Sequence, residues 1–159
     1  MSETSILIVD DETAFADITA KRLGQRGFSV ITANDGPQAI RIIEENDGLD
    51  VVLLDVKMPG MDGLEVLKAI MDVKPILRVV LLTGHGTVES AVRGIKLGAF
   101  DYLLKPAEID ALTAKLNAAA AEKREIEQKI MDIRIHPYIT QEEKDAQIEA
   151  ILSRRQSEE

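Results

Sequence analysis

Val51-Val-Leu-Leu-Asp55, four consecutive apolar residues closed by a carboxylate, decides the reading of this chain. A continuous apolar run of this length is the pattern of a strand buried on both faces, as in a parallel sheet. Four more runs share its character: Ser5-Ile-Leu-Ile-Val9, Ser29-Val-Ile-Thr-Ala33, Val79-Val-Leu-Leu82 and Tyr102-Leu-Leu104. Segments of helical period lie between them. Ala14 to Leu23 follows Asp11 as its N-cap, Pro37 to Glu45 carries Ala39, Ile42 and Ile43 on one stripe, and Leu64 to Met71 and Val88 to Leu97 are similarly striped. Gly24, Gly27, Gly48 and Gly98 mark helix ends or turns. Right-handed crossovers turn this alternation into an α/β domain, a doubly wound five-stranded parallel sheet over residues 4 to about 120.

Composition narrows the function. The chain has 159 residues, 45% hydrophobic and 30% charged, with a net charge of −9 and no cysteine. Disulfides, thiolate metal sites and cysteine nucleophiles are excluded together. An acidic chain lacks the clustered Lys and Arg that bind a phosphate backbone, and three Phe, two Tyr and no Trp make a poor base-stacking surface. No apolar run approaches the length of a membrane span. The first residues show no basic-then-apolar leader. The expectation is a cytoplasmic protein with no nucleic-acid and no membrane partner.

After Pro106 the texture changes. Ile109, Leu112, Leu116, Ala119, Lys123, Ile126, Ile130 and Ile133 recur at spacings of three and four. They predict a long helix from about Ala107 to Arg134, stopped at His136-Pro137 because the residue before proline disfavours the helical region. Thr140-Gln-Glu-Glu143 reads as a capping box opening a last helix over 141–153, with Ala146, Ile148, Ile151 and Leu152 on its apolar stripe. The domain reading is therefore 4–120 plus a helical extension, 121–159. Two arrangements bury the 109–133 stripe: a homodimer, or folding back of the last helix. In the dimer, Lys123 would interrupt the seam and snorkel outward.

Function in a doubly wound sheet gathers at the carboxyl ends of the strands. The first run ends in Asp10-Asp11, the third in Asp55, the fourth in Thr83-Gly84 and the fifth in Lys105-Pro106. Three carboxylates, a hydroxyl and an ammonium converge on one edge. Crowded carboxylates repel unless one is protonated or a cation neutralises them. Oxygen-only donors favour a hard cation, and Mg²⁺ is the usual choice beside phosphate. Such an ion could shield a nucleophilic carboxylate from an incoming phosphoryl group, with Lys105 and Thr83 meeting its oxygens.

Four fragments carry a resemblance: Asp10-Asp11, Asp55-Val-Lys-Met-Pro-Gly-Met-Asp-Gly63, Thr83-Gly84, and Gly98-Ala-Phe-Asp-Tyr102 continuing to Leu-Leu-Lys105-Pro106. In order and spacing the chain resembles the receiver domain of bacterial two-component response regulators. The resemblance implies a flavodoxin-like sheet of order 2-1-3-4-5. It implies that Asp55 accepts phosphate from a sensor histidine kinase or a histidine phosphotransfer protein. Asp11, Asp55 and the backbone carbonyl of Lys57 would bind Mg²⁺, with Mn²⁺ as a substitute, and Asp10 would act mainly through water. Thr83 and Tyr102 would form the switch pair. Lys105 would contact the phosphoryl group beside a cis bond to Pro106, and Lys57 and His85 would tune phosphate lifetime. The output would be a downstream protein target, and the domain catalyses only its own phosphorylation and dephosphorylation.

Blander readings exist for each residue. Asp10 and Asp11 could cap a helix, Asp55 could end a strand, Thr83 could be an ordinary β residue, Lys105 could be solvated, and Tyr102 could be core. Their common register at one edge favours a site. A Mg²⁺-dependent phosphatase with an aspartyl-phosphate intermediate is the first rival, but its family places an acid where Lys57 stands. A nucleotide-binding domain lacks its glycine fingerprint here. A receiver-shaped scaffold that is never phosphorylated, and a receiver cut from a longer transcription activator, both stay open.

Overall fold

Strands β1 (Ser5–Val9), β2 (Ser29–Ala33), β3 (Val51–Leu54), β4 (Arg78–Thr83) and β5 (Asp101–Leu104) pair in parallel in the order β2-β1-β3-β4-β5. This is the doubly wound sheet the apolar runs predict. The structure, a computed structural model, describes residues 3–58, 61–84 and 88–157. Every residue of β3 and β4 is buried. Alternate side chains divide between two cores, as the period of two requires. Leu7, Val9, Val52, Leu54, Val79 and Leu81 face one layer, Ile6, Ile8, Val51, Leu53, Val80 and Leu82 the other. Helices α2 (Gly36–Glu45), α3 (Gly63–Val73) and α4 (Val88–Lys96) cover the first core. Helices α1 (Thr13–Gln25) and α5 (Ile109–Arg134) cover the second. The last helix, α6, spans Gln141–Ser157. Among the described residues no helix is long and apolar enough to cross a membrane.

Two local expectations change. Asp11 does not cap α1: the N-cap is Glu12 and makes no side-chain cap bond, while Asp10 Oδ1 accepts the Glu12 N–H at 2.9 Å. The run Tyr102-Leu-Leu104 is not buried throughout, since Tyr102 is 39% and Leu104 53% exposed. Strand β5 is a sheet edge with one strand neighbour, so one of its faces is incompletely covered.

The long stripe after Pro106 packs against its own chain. Leu112, Leu116, Ala119, Ala120, Lys123 and Ile130 are all buried. Alanines at 119 and 120 let the helix approach closely, and three polar ties then fasten its continuation to the amino-terminal edge of the sheet. Arg78 Nη1 meets Glu122 at 3.4 Å, Lys123 Nζ meets Asp50 Oδ1 at 3.3 Å, and Arg124 Nη2 donates to Thr4 Oγ1 at 2.9 Å. Lys123 therefore does not snorkel out of a dimer seam, and these residues are not open for a homodimer.

The capping box at Thr140 forms in both directions, Glu143 N to Thr140 Oγ1 at 3.1 Å and Thr140 N to Glu143 Oε2 at 3.3 Å. Helix α6 folds back, and Lys144 Nζ donates to Arg134 O at 2.8 Å. Its seat is loose: Ile148, Ile151 and Leu152 are only half-buried. Ile148 and Leu152 border two cavities of about 570 and 320 Å³.

Candidate functional site

The sheet ladder continues one residue past three strands and so fixes where the polar groups stand. Asp10 N donates to Ala33 O at 3.0 Å, Asp55 N to Val9 O at 2.9 Å and Lys105 N to Thr83 O at 2.9 Å. Asp10, Asp55 and Thr83 are consequently buried, at 2%, 4% and 4% exposure. Asp11 stands at the solvent side, and one carboxylate oxygen from each of Asp10, Asp11 and Asp55 lies within 4.8 Å of the other two.

Lys105 Nζ enters this cluster. It lies 2.8 Å from Asp10 Oδ2, 3.3 Å from Asp55 Oδ2 and 3.5 Å from Glu12 Oε1. Burial acts against the ammonium, but the Asp10 hydrogen bond and the charges of Asp55 and Asp10 outweigh it and hold the Lys105 pKa above its ordinary value. Burial pushes the Asp55 pKa upward and Asp10 adds to it, although the Lys57 N–H and Lys105 pull the other way. One ammonium thus faces three carboxylates, counting Glu12, and Asp55 remains an under-compensated anion. An all-oxygen donor set with surplus negative charge fits a hard divalent cation.

The Asp55 loop is held by close packing. Asp55 Oδ1 accepts from Lys57 N at 3.1 Å, and a two-residue ladder pairs Lys57–Met58 with Met61–Asp62. Asp62 then caps α3, accepting the Leu64 N–H at 2.9 Å. A Cβ on Gly63 would fall 2.5 Å from Val56 Cα and 2.7 Å from Asp55 O. Only glycine lets α3 start against the backbone that carries Asp55.

Other residues singled out in the sequence stand elsewhere. Tyr102 is not at the acid cluster: its half-exposed side chain lines a depression of about 340 Å³ with Val88, Ala91, Val92, Ile95 and Lys96 on the α4 side. The Lys57 side chain is exposed. The Lys105–Pro106 bond is cis. His85 lies outside the described residues. Sequence reading missed two neighbours of Lys105: Glu12, and Phe15, whose ring centroid is 4.2 Å from Nζ. Both sit at the start of α1, directly after Asp10-Asp11, and that adjacency was the available signal.

Comparison with known proteins agrees with the fold. A family model described as the response regulator receiver domain matches residues 6–117. A putative NtrX-like response regulator of Rickettsia felis is 36% identical over 140 residues, covering 83% of this chain and 29% of that protein. The transcriptional regulatory protein ZraR of Escherichia coli is 40% identical over 122 residues, 77% of this chain and 27% of that protein. The chain thus spans less than a third of these relatives. A crystal structure of a response regulator receiver domain protein from Clostridium thermocellum superposes with a TM-score of 0.73 at 36% identity, covering 76% of this chain and 97% of that one.

Proposed function

The chain belongs to the response regulator receiver domain family, and we propose that Asp55 is the residue through which it accepts a phosphoryl group. The observation that carries this is the burial of Asp55 at a strand end, with Asp10, Asp11 and Lys105 gathered around it. An Asp55 carboxylate oxygen would form the new O–P bond as the P–N bond of a phosphohistidine breaks. The electron pair leaves with the imidazole, which takes a proton from solvent. Lys105, 3.3 Å from Asp55 Oδ2, would exchange a carboxylate contact for a phosphoryl oxygen. Thr83, at the end of the adjacent strand, would donate its hydroxyl to another.

Asp11, Asp55 and the Lys57 carbonyl would hold Mg²⁺, with Asp10 acting through water. The ion, when bound, supplies the positive charge that lets a phosphoryl group approach a carboxylate. The phosphate adds about −1.5 to −2 charge. Thr83 closing on it would leave room for Tyr102 to move in from its half-exposed place beside α4, altering the α4–β5 face. Lys57 and His85 would set how long the phosphate lasts.

The partners in this reading are a sensor histidine kinase or phosphotransfer protein upstream and a protein target downstream, in the cytoplasm, with no turnover of an external substrate. Residues 4–120 form the receiver and 121–159 its helical extension. The burial of Ile130, which borders the same cavity as Ile148 and Leu152 of α6, favours the folded-back tail over a homodimer through that helix.

A small phosphodonor with Mg²⁺ should add one phosphate to the intact mass of the full chain. Chelating the metal should slow transfer strongly, and Asp55→Asn should abolish it. Steady hydrolysis of a phosphomonoester would instead favour the phosphatase reading.

A further inference from the structure

Lys105 has a neighbour that carries no charge. Phe15 lies in the first turn of α1, and the centroid of its ring is 4.2 Å from Lys105 Nζ. Its other surroundings are mostly apolar: it packs against the core beneath α1 and α5 and borders a cavity of about 140 Å³ with Leu82, Pro106 and Ala107, and with Thr19 and Arg22 of its own helix. The Lys105 side chain is 13% exposed, so this contact is largely sheltered from water.

We propose that Phe15 is a positioning residue for phosphoryl transfer, its ring face holding the Lys105 ammonium over Asp55 while that ammonium changes hydrogen-bond partners. The inference rests on the reading of Asp55 as the acceptor. The three carboxylates around Lys105 pull it in different directions, and the shortest contact, 2.8 Å, is to Asp10 rather than Asp55. To meet a phosphoryl oxygen on Asp55 the ammonium must loosen its hold on Asp10. An aromatic face attracts a cation through its quadrupole and uses none of the three N–H donors. It also adds no negative charge to repel the incoming phosphate. A carboxylate at position 15 would bind Lys105 more tightly and hold it back; an aliphatic residue would leave it biased toward Asp10.

Phe15 should be replaced in the full chain by 4-fluoro-, 3,5-difluoro- and 3,4,5-trifluorophenylalanine, which drain the ring face with little change in shape. Phosphate incorporation from a small phosphodonor with Mg²⁺ is then followed by intact mass. The rate should fall stepwise with fluorine number to a total of about two- to fivefold, while the melting temperature stays level. Phe15→Leu should be slowed at least as much, and Phe15→Tyr should restore the rate. In the wild type the Lys105 ε-methylene NMR signals should be ring-shifted upfield, a shift that Phe15→Leu removes. A rate flat across the fluorinated series with Asp55 still labelled, or unshifted ε-methylene signals, overturns the role of Phe15. Full labelling of Asp55→Asn overturns the acceptor reading instead, and with it the step that Phe15 would serve.

Discussion

Each end of the sheet buries a lysine against an aspartate, and the two pairs are built to opposite rules. At the amino-terminal edge Lys123 meets Asp50, whose other oxygen accepts the Ser5 N–H at 2.8 Å. Arg78 and Glu122 pair beside them. Each cation there has a sheltered carboxylate of its own, with the half-exposed Glu127 a further partner of Lys123 at 3.6 Å, and the result ties α5 to the strands. At the carboxyl-terminal edge one ammonium serves Asp10, Asp55 and Glu12, with Asp11 nearby. Matched charge makes a clamp. Surplus negative charge leaves a site that still has interaction to offer a cation, which in the proposed reading lets a phosphoryl group approach.

The largest effect should come from breaking the matched end. Asp50→Ala strips Lys123 of its buried partner and leaves the Ser5 N–H unsatisfied, at an expected cost of about 3 kcal/mol. Urea denaturation measures it, and a loss within 0.5 kcal/mol, the usual range of a surface substitution, would reduce the clamp to decoration. Lys123→Met should cost less, because the Asp50 carboxylate it leaves without a cation still accepts the Ser5 N–H and the methionine side chain fills the space.

At the other end the sign should reverse. Asp55→Asn removes one of the crowded carboxylates, and without Mg²⁺ it should raise the melting temperature by about 2–4 °C, the size of a 1 kcal/mol change in a chain of this length. Since the folded-state pKa of Asp55 is raised, its ionised form costs stability at neutral pH. That cost disappears as pH falls through the raised pKa toward 3.8, the ordinary value. The melting-temperature gap between Asp55→Asn and the wild type should therefore narrow with acidification. A gap that widens would contradict the under-compensated charge.

Metal binding sharpens the same contrast. Mg²⁺ should raise the wild-type melting temperature by mass action. Asp11→Ala should suppress that rise more than Asp10→Ala, because Asp10 is already engaged by Lys105 at 2.8 Å and by the Glu12 N–H. Asp50→Ala should leave the increment intact. The smallest effect is expected at α6: Ile148→Ala should cost about 1 kcal/mol, below the 2–5 kcal/mol of a fully buried isoleucine, because Ile148 borders open cavities. A loss near 3 kcal/mol, measured by denaturation, would make α6 part of the core.

The carboxyl-terminal edge was far more legible in the sequence than the clamp. Asp10, Asp55, Thr83 and Lys105 each end a hydrophobic run, so strand patterning alone brings them to one edge. The clamp joins residues 73 positions apart, Asp50 and Lys123, and the 109–133 stripe gives no sign of which surface will cover it. An apolar period fixes that a helix face is buried, not what buries it. The contacts of Glu12 and Phe15 with Lys105 were signalled only by nearness in sequence to Asp10-Asp11, for a related reason. They depend on how α1 enters after Asp11, and the expected cap was the wrong residue.

Trapping the phosphate chemically tests the assignment of Asp55 most directly. Borohydride reduction of the phosphorylated chain converts an aspartyl phosphate to homoserine, which peptide mass spectrometry locates. Homoserine should appear at position 55 and at no other aspartate, Asp10, Asp11 and Asp50 included. Homoserine at any of those three, or a phosphorylated chain with position 55 unmodified, would contradict the assignment.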